Sequence, residues 1–274
     1  MGIFDNCLLI SDIDGTLLED GIIPESNIKA INEFKKEGGL FTVATGRGIP
    51  AIQDIYDKVG FNAPVIADQG SVVYDFSSAK LLFSKYLSES SKQTAIELIN
   101  HNENIGIAIF SDANFYIVRE NKGIIYYANY EHMEKKALTL SEALNLNWNK
   151  VVFMTESQAD YDDIKLFYET IINPEIKFVH TMSYERNYRC LELYAGNINK
   201  GVGIDFLKSV YNKELFAIGD MFIDNELISA SKYGAATKGA KDEVKKLAKY
   251  ITCDVREGAV ADYIRYIKSI LRGS

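Results

Sequence analysis

Cys7-Leu8-Leu9-Ile10-Ser11-Asp12-Ile13-Asp14-Gly15-Thr16-Leu17 is the stretch that decides the fold. Its first five residues are a short apolar run that stops at acidic residues, the pattern of a buried strand. Asp12 and Asp14 are two residues apart, so both carboxylates leave the strand end on the same side. In an open parallel sheet, ligands bind beyond the carboxyl ends of the strands. Gly15 lets main-chain N–H groups come close to an anion. The same string also suits an acidic loop with a helix cap, so the rest of the chain has to decide.

Outward from this strand the chain alternates. Ser26–Glu37 carries Ile28, Ile31 and Phe34 at helical spacing, and Gly38-Gly39 ends it. Leu40–Ala44 is a second apolar strand. A helix follows from near Pro50 to Val59, with proline at its start, where it is tolerated. Pro64–Ala67 is a third strand. Strand-helix-strand-helix-strand predicts parallel pairing with helical crossovers. The C-terminal third resumes the rhythm. Helices are expected at Gly201–Tyr211, Asp224–Lys232, Lys241–Lys249 and Ala259–Leu271, with strands at Leu215–Gly219, Tyr233–Thr237 and Ile251–Cys253. Lys241, Lys245, Lys246 and Lys249 read as a solvated helix face.

The middle of the chain differs. Ile105–Phe110 and Phe115–Arg119 flank Ser111-Asp112-Ala113-Asn114 and predict a hairpin. Val151–Thr155 and Lys177–Thr181 are strands separated by a helix over about 159–172, and Cys190–Tyr194 alternates apolar and polar residues. The expected organisation is an α/β fold, a parallel-sheet core formed by 1–83 and 187–274. An inserted α+β domain spans 84–186.

Three further strand ends carry chemistry. Thr45-Gly46-Arg47 follows the second strand, where a hydroxyl and N–H groups before a helix can hold phosphate oxygens; Thr45 equally suits a helix cap. Lys200-Gly201 opens a helix after a turn marked by Asn197 and Asn199, at an end where anions are favoured. Gly219-Asp220-Met221-Phe222-Ile223-Asp224 places two more carboxylates after an apolar strand. Such hard oxygen ligands suit Mg²⁺, and Asp224 also suits a helix cap. A phosphate charge about 4 Å from one carboxylate is repelled by ~4 kcal/mol at an effective dielectric near 20. A divalent ion held by Asp12 and Asp220, with the ammonium of Lys200, offsets that repulsion. Phosphoryl transfer depends on such positioning and neutralisation.

In this order, Asp12-x-Asp14-Gly15-Thr16, Thr45-Gly46-Arg47, Asn199-Lys200-Gly201 and Gly219-Asp220-x-x-x-Asp224 resemble the four motifs of the haloacid dehalogenase superfamily. The insert between the second and third motifs resembles the type-two (C2B) cap of the Cof-like branch. The similarity runs from about 7 to about 268 and takes in Gly234-Ala235-Ala236-Thr237 and Asp254-x-x-x-Gly258-Ala259. The resemblance implies a phosphatase with a Rossmann-like core and a mobile cap. Asp12 would be the nucleophile that forms an aspartyl-phosphate, and Asp14 the acid and then the base. Thr45, Gly46, Gly15 and Lys200 would hold phosphoryl oxygens. Asp12, the main-chain carbonyl of Asp14, Asp220 and Asp224 would hold Mg²⁺, directly or through a supporting bond. One departure stands out: Cof-like members carry Asn where this chain has Ile223, and Asn225 follows Asp224 instead.

Composition sets the outer limits. The chain has 274 residues, 47% hydrophobic and 25% charged, enough to bury a core without staples. A net charge of −8 argues against nucleic-acid or anionic-membrane partners and leaves a small phosphorylated substrate open. Cys7, Cys190 and Cys253 form no metal or disulfide pattern, and His101, His132 and His180 read as scattered packing or surface residues. No apolar run is long enough for a membrane span, and the N-terminus has no targeting pattern, so a cytoplasmic protein is expected. Two other functions fit the motifs. A hexose-phosphate mutase would need a second phosphate site rich in arginine, and the insert offers Arg119 with Arg186 and Arg189 at its edge. A non-catalytic regulatory protein would use the departure at Ile223. Tyr116, Tyr126, Tyr127 and Tyr130 either line a substrate pocket or pack within the insert.

Overall fold

The computed structural model describes residues 2–181 and 188–273; Arg186 lies outside them. The chain opens with β1 (Cys7–Ser11), α1 (Glu25–Lys36), β2 (Leu40–Val43), α2 (Gln53–Val59), β3 (Val65–Ala67), β4 (Val72–Asp75) and β5 (Lys80–Ser84). The insert follows with α3 (Glu89–His101), β6 (Gly106–Ser111), β7 (Asn114–Arg119), α4 (Lys122–Tyr130), β8 (Lys136–Ala137), α5 (Leu140–Ala143), β9 (Lys150–Thr155), α6 (Gln158–Glu169), β10 (Ile176–Thr181) and β11 (Arg189–Ala195). The chain then runs through α7 (Lys200–Val210), β12 (Glu214–Gly219), α8 (Asn225–Ser229), β13 (Ala235–Ala236), α9 (Asp242–Lys245), β14 (Tyr250–Ile251) and α10 (Ala259–Gly273).

All five residues of β1 are buried, as a strand covered on both faces requires. Leu8 and Ile10 join a core cluster with Ile204 and Leu207 of α7 and with Leu215 and Ala217 of β12. Each such side chain contributes roughly 1.5–3 kcal/mol by leaving water. The sheet order is β14-β13-β12-β1-β2, and every neighbouring pair is parallel. From β1 the chain moves through α1 to β2 on one side, while from β12 it moves to β13 and β14 on the other. The order therefore reverses between β1 and β12, and in open α/β sheets ligands bind at the carboxyl ends of such a reversal point. A parallel bridge between Ala44 and Ile66 extends the sequence to β3, which also joins a small sheet with β4 and β5.

The chain clusters into two compact units. One runs up to Arg47, then takes Asp54–Phe83 and the chain from Asn199; the other is Gly48–Gln53 with Ser84–Ile198. The expected end of the insert at 186/187 differs from this division at 198/199. The reason is β11, which pairs along its length with both β9 and β10 and so belongs to the insert sheet. That sheet has the order β10-β11-β9-β6-β7-β8. Its hairpin β6–β7 turns through Asp112, which adopts a left-handed φ of 54°. Ala108, Phe110, Val152 and Met154 pack there with Ile124, Tyr127 and Ala128 of α4.

Two expected helices are shorter than their pattern. Over 224–232 only α8 is α-helical, preceded by a 3₁₀ turn at Phe222–Asp224. The chain leaves the helix where Ser231 donates its hydroxyl to Leu215 O and accepts Tyr233 N–H. Over 241–249 only Asp242–Lys245 is helical, because Lys249 N–H is taken by Gly234 O at 2.7 Å on the way into β14. Among the described residues, no helix is long and apolar enough to cross a membrane.

Candidate active site

Asp12 continues the β1 ladder by one bond, its N–H donating to Ile218 O at 2.9 Å. That bond fixes its side chain at the strand end, where it is 6% exposed. The chain then doubles back: Ile13 O accepts N–H groups from Thr16, Leu17 and Leu18 at 2.9–3.3 Å. Gly15 makes this turn with φ +76°, and a Cβ there would lie 2.5 Å from Asp220 Oδ2. Only glycine meets both conditions. Thr16 Oγ1 donates to Asp220 Oδ1 at 3.1 Å, so the loop after β1 orients the carboxylate after β12.

Asp224 closes the loop from the other side. Its Oδ2 accepts N–H bonds from Asp220 at 3.1 Å and Met221 at 3.0 Å. The helix cap expected of this residue is not formed: Asp224 stands at the N-cap of α8 without a side-chain bond to that helix, and its carboxylate instead tightens the preceding loop that presents Asp220. Its Oδ1 also receives Lys200 Nζ at 2.5 Å, and the same ammonium donates to Asp12 Oδ1 at 2.6 Å. Lys200 has no exposed surface. It stands at the first position of α7, so the helix entrance brings a cation to two strand-end carboxylates.

One carboxylate oxygen from each of Asp12, Asp220 and Asp224 falls within 4.8 Å of the others. Three carboxylates facing one ammonium leave a net negative cluster. Burial, then Asp224, push the Asp12 carboxyl well above the usual carboxylate range, against the pull of Lys200. Asp220 is pushed up to about 6 by burial and Asp224, with the Thr16 bond opposing. Burial works against the charge of Lys200, but Asp12 and Asp224 outweigh it and raise its pKa. A divalent cation held by hard oxygens is the partner that such a donor set fits.

The side chain of Asp14 is not among these clustered carboxylates. It is half-exposed and paired in fork geometry with Arg47, Nε to Oδ2 at 2.9 Å and Nη2 to Oδ1 at 2.8 Å. Any contribution of Asp14 to a metal would thus come from its main-chain carbonyl. Ala44 N–H donates to Ser11 O at 2.9 Å, so Thr45 leaves β2 beside the end of β1. Thr45 Oγ1 accepts Arg47 N–H at 3.1 Å and closes a turn, not the helix cap expected of it, because the next helical turn begins at Ile49 behind Gly48; its O–H remains able to donate. Gly46 lies beside Gln69, whose Nε2 would be 2.5 Å from a Cβ at that position.

Sequence reasoning assigned no role to Arg47 or Gln69. Arg47 was visible as the third residue of Thr45-Gly46-Arg47, but its pairing across 33 positions to Asp14 was not. Gln69 carried no signal beyond the glycine after it. The insert's tyrosines divide: Tyr127 is buried in the insert core, while Tyr126 stacks on exposed Tyr130 at 6.1 Å. His101 meets Asp163 and stacks on Phe167, and His180 bonds Tyr161 and Tyr168. Among the described residues, the aspartate cluster at the strand ends is the candidate metal group.

The comparisons place the chain among the phosphoric monoester hydrolases of α/β architecture, with an inserted mixed sheet. The chain belongs to the haloacid dehalogenase-like hydrolase family, whose profile matches residues 9–264. It is 27% identical over 266 residues to the 5-amino-6-(5-phospho-D-ribitylamino)uracil phosphatase of Bacillus subtilis, covering 94% of each chain. It is 23% identical to the pyridoxal phosphate phosphatase of Escherichia coli, covering 92% of this chain and 95% of that one. In fold it is similar to a haloacid dehalogenase-like hydrolase from Bacteroides thetaiotaomicron, with a TM-score of 0.82 at 20% identity over 95% of this chain and 98% of that one. A subclass IIB sugar phosphatase aligns with a TM-score of 0.74 at 18% identity over 95% and 98% of the two chains.

Proposed function

We propose that the protein is a Mg²⁺-dependent phosphatase of small phosphorylated metabolites, sugar phosphates or similar monoesters, working through Asp12. The observation that carries the reading is Lys200, fully buried and bonded to both Asp12 and Asp224 beside Asp220. A buried ammonium between strand-end carboxylates has a purpose when an anion must be brought to one of them. Asp12, Asp220, Asp224 and the main-chain carbonyl of Asp14 would hold the Mg²⁺. When bound, the ion would neutralise charge on the transferring phosphoryl group.

In this reading an Asp12 carboxylate oxygen attacks phosphorus, a new O–P bond forms, and the ester O–P bond breaks. Asp14 supplies the proton to the departing alcohol. Asp14 then takes a proton from water, whose oxygen attacks the aspartyl-phosphate and frees inorganic phosphate and Asp12. Arg47 holds the Asp14 carboxylate by two bonds and so restricts where that proton is delivered. Thr45, Gly46 and Gly15 hold phosphoryl oxygens, and the insert acts as the cap that selects the alcohol. The relatives named for phosphoribityl and pyridoxal substrates support a small phosphomonoester without choosing one.

Among the described residues, the mutase alternative lacks support at the arginines it needs. Arg119 donates to the carbonyls of Ile99, Asn102 and Ile105, and Arg189 donates to Tyr188 O. The test is a panel of phosphorylated metabolites with Mg²⁺, comparing the wild type with Asp12→Asn. Mg²⁺-dependent phosphate release by the wild type and none by Asp12→Asn is expected. No release by the wild type from any member sinks the proposal, and full activity of Asp12→Asn sinks the assigned nucleophile.

A further inference from the structure

Gln69 combines an unfavourable backbone with a side-chain amide left without a partner. It follows β3 with φ 56° and ψ 21°, the left-handed region that a Cβ disfavours. Its N–H donates to Thr45 O at 3.0 Å, which holds the backbone there. The residue is 5% exposed, and its side-chain amide has no hydrogen-bond partner among the described residues; its polar atoms are not among the fully buried unpartnered ones, so the amide end faces open space. The Nε2 end lies against the main chain of Gly46, in the space a Cβ would fill. Strain and an unpartnered amide at one residue, both pressed on the Thr45–Gly46 loop, mark a group that completes its bonding when a ligand arrives.

We propose that the Gln69 amide is a phosphate-binding group, donating an Nε2–H to a phosphoryl oxygen held at the Thr45–Gly46 loop. The inference rests on the phosphatase reading of this site. An amide suits the position because it offers donors without adding charge to the cluster at Asp12. A purely structural residue there would be better served by glycine, which tolerates the backbone, or by an apolar side chain, which needs no partner.

The test compares wild type, Gln69→Leu and Gln69→Glu as full chains at one fixed Mg²⁺ concentration. Inorganic phosphate is the probe, its Kd measured by calorimetry and its Ki by competition against an aryl phosphate, with Tm recorded for each protein. Gln69→Leu is expected to bind phosphate about 10- to 100-fold more weakly, the effect of losing one hydrogen bond to a charged oxygen. Gln69→Glu is expected to bind more weakly still, with both Tm values at or near that of the wild type. Equal phosphate affinity in all three proteins overturns the role of Gln69 and leaves the phosphatase reading standing. Loss of affinity that follows a fall in Tm in both variants also overturns it, as a structural effect. Absence of both phosphate binding and phosphate release in the wild type brings down both readings.

Discussion

Replacing Lys200 with Met removes the ammonium between Asp12 and Asp224 from a cluster of three carboxylates while keeping roughly the length of the side chain. The ammonium lies 2.6 Å from Asp12 Oδ1 and 2.5 Å from Asp224 Oδ1, with no exposed surface of its own. At an effective dielectric near 20, each contact is worth on the order of 6 kcal/mol of attraction. Desolvation of the ammonium cancels much of that sum, and truncating one partner of a buried pair typically costs about 3–5 kcal/mol. At roughly 2–4 °C per kcal/mol for a chain of this size, the metal-free variant should melt about 10 °C lower. Mg²⁺ should return part of that loss, because a dication replaces the missing positive charge between the carboxylates. Phosphate release should fall by about 10²–10³, the usual effect of deleting a group aimed at developing charge. Scanning fluorimetry with and without Mg²⁺, beside a phosphate-release assay, reads all three quantities. A variant that melts within 2–3 °C of the wild type, well below the ~10 °C expected, and keeps its activity would refute the electrostatic account of this site.

Asp220 supplies a pH test. Its folded-state pKa is raised to about 6 by burial and Asp224, so folding favours its protonated form. The associated stability is present at low pH and lost as pH rises through about 6; by linkage it amounts to at most about 3 kcal/mol. In chelator, Asp220→Asn should therefore gain in Tm over the wild type as pH rises from about 4 to 7, and a difference that is flat with pH contradicts the assignment. Arg47→Ala and Asp14→Asn should each lower kcat more than they change KM. Their combination should cost little more than Asp14→Asn alone, whereas strictly additive losses would show that Arg47 acts independently of Asp14. Cys7 and Cys190 are buried, and burial pushes the Cys7 thiol up to about 11. A thiol reagent should accordingly titrate Cys253 slowly in the native protein and all three cysteines after denaturation, and rapid labelling of Cys7 would contradict the packing of β1.

Much of this protein was legible because its chemistry sits at strand ends. A run such as Cys7–Ser11 announces a buried strand by composition, and a carboxylate directly after it can only be at the carboxyl end. The same logic reached Thr45, Lys200, Asp220 and Asp224 one at a time, and the order of these motifs pointed to the family. Local pattern served less well where long-range bonds decide, as at Lys249, whose N–H is claimed by Gly234, and at β11, whose partners lie in the insert. At Asp224 the helix cap read from the sequence is not formed, and its two oxygens divide instead between the Lys200 ammonium and the loop N–H groups of Asp220 and Met221.

By itself, then, the amino-acid sequence determined the alternation of strands and helices, the residues at the strand ends and the kind of reaction they suit. Alternation and strand-end position are properties of neighbours in the chain, so they can be read there. Only the tertiary structure decided that Lys200 lies buried between Asp12 and Asp224, that Thr16 aligns Asp220, and that Arg47 grips Asp14. It alone decided, too, that Gln69 is strained against Gly46. These pairings join positions up to 204 residues apart. They exist because the parallel order brings β1, β2 and β12 side by side, and no local periodicity encodes which strand ends will face one another.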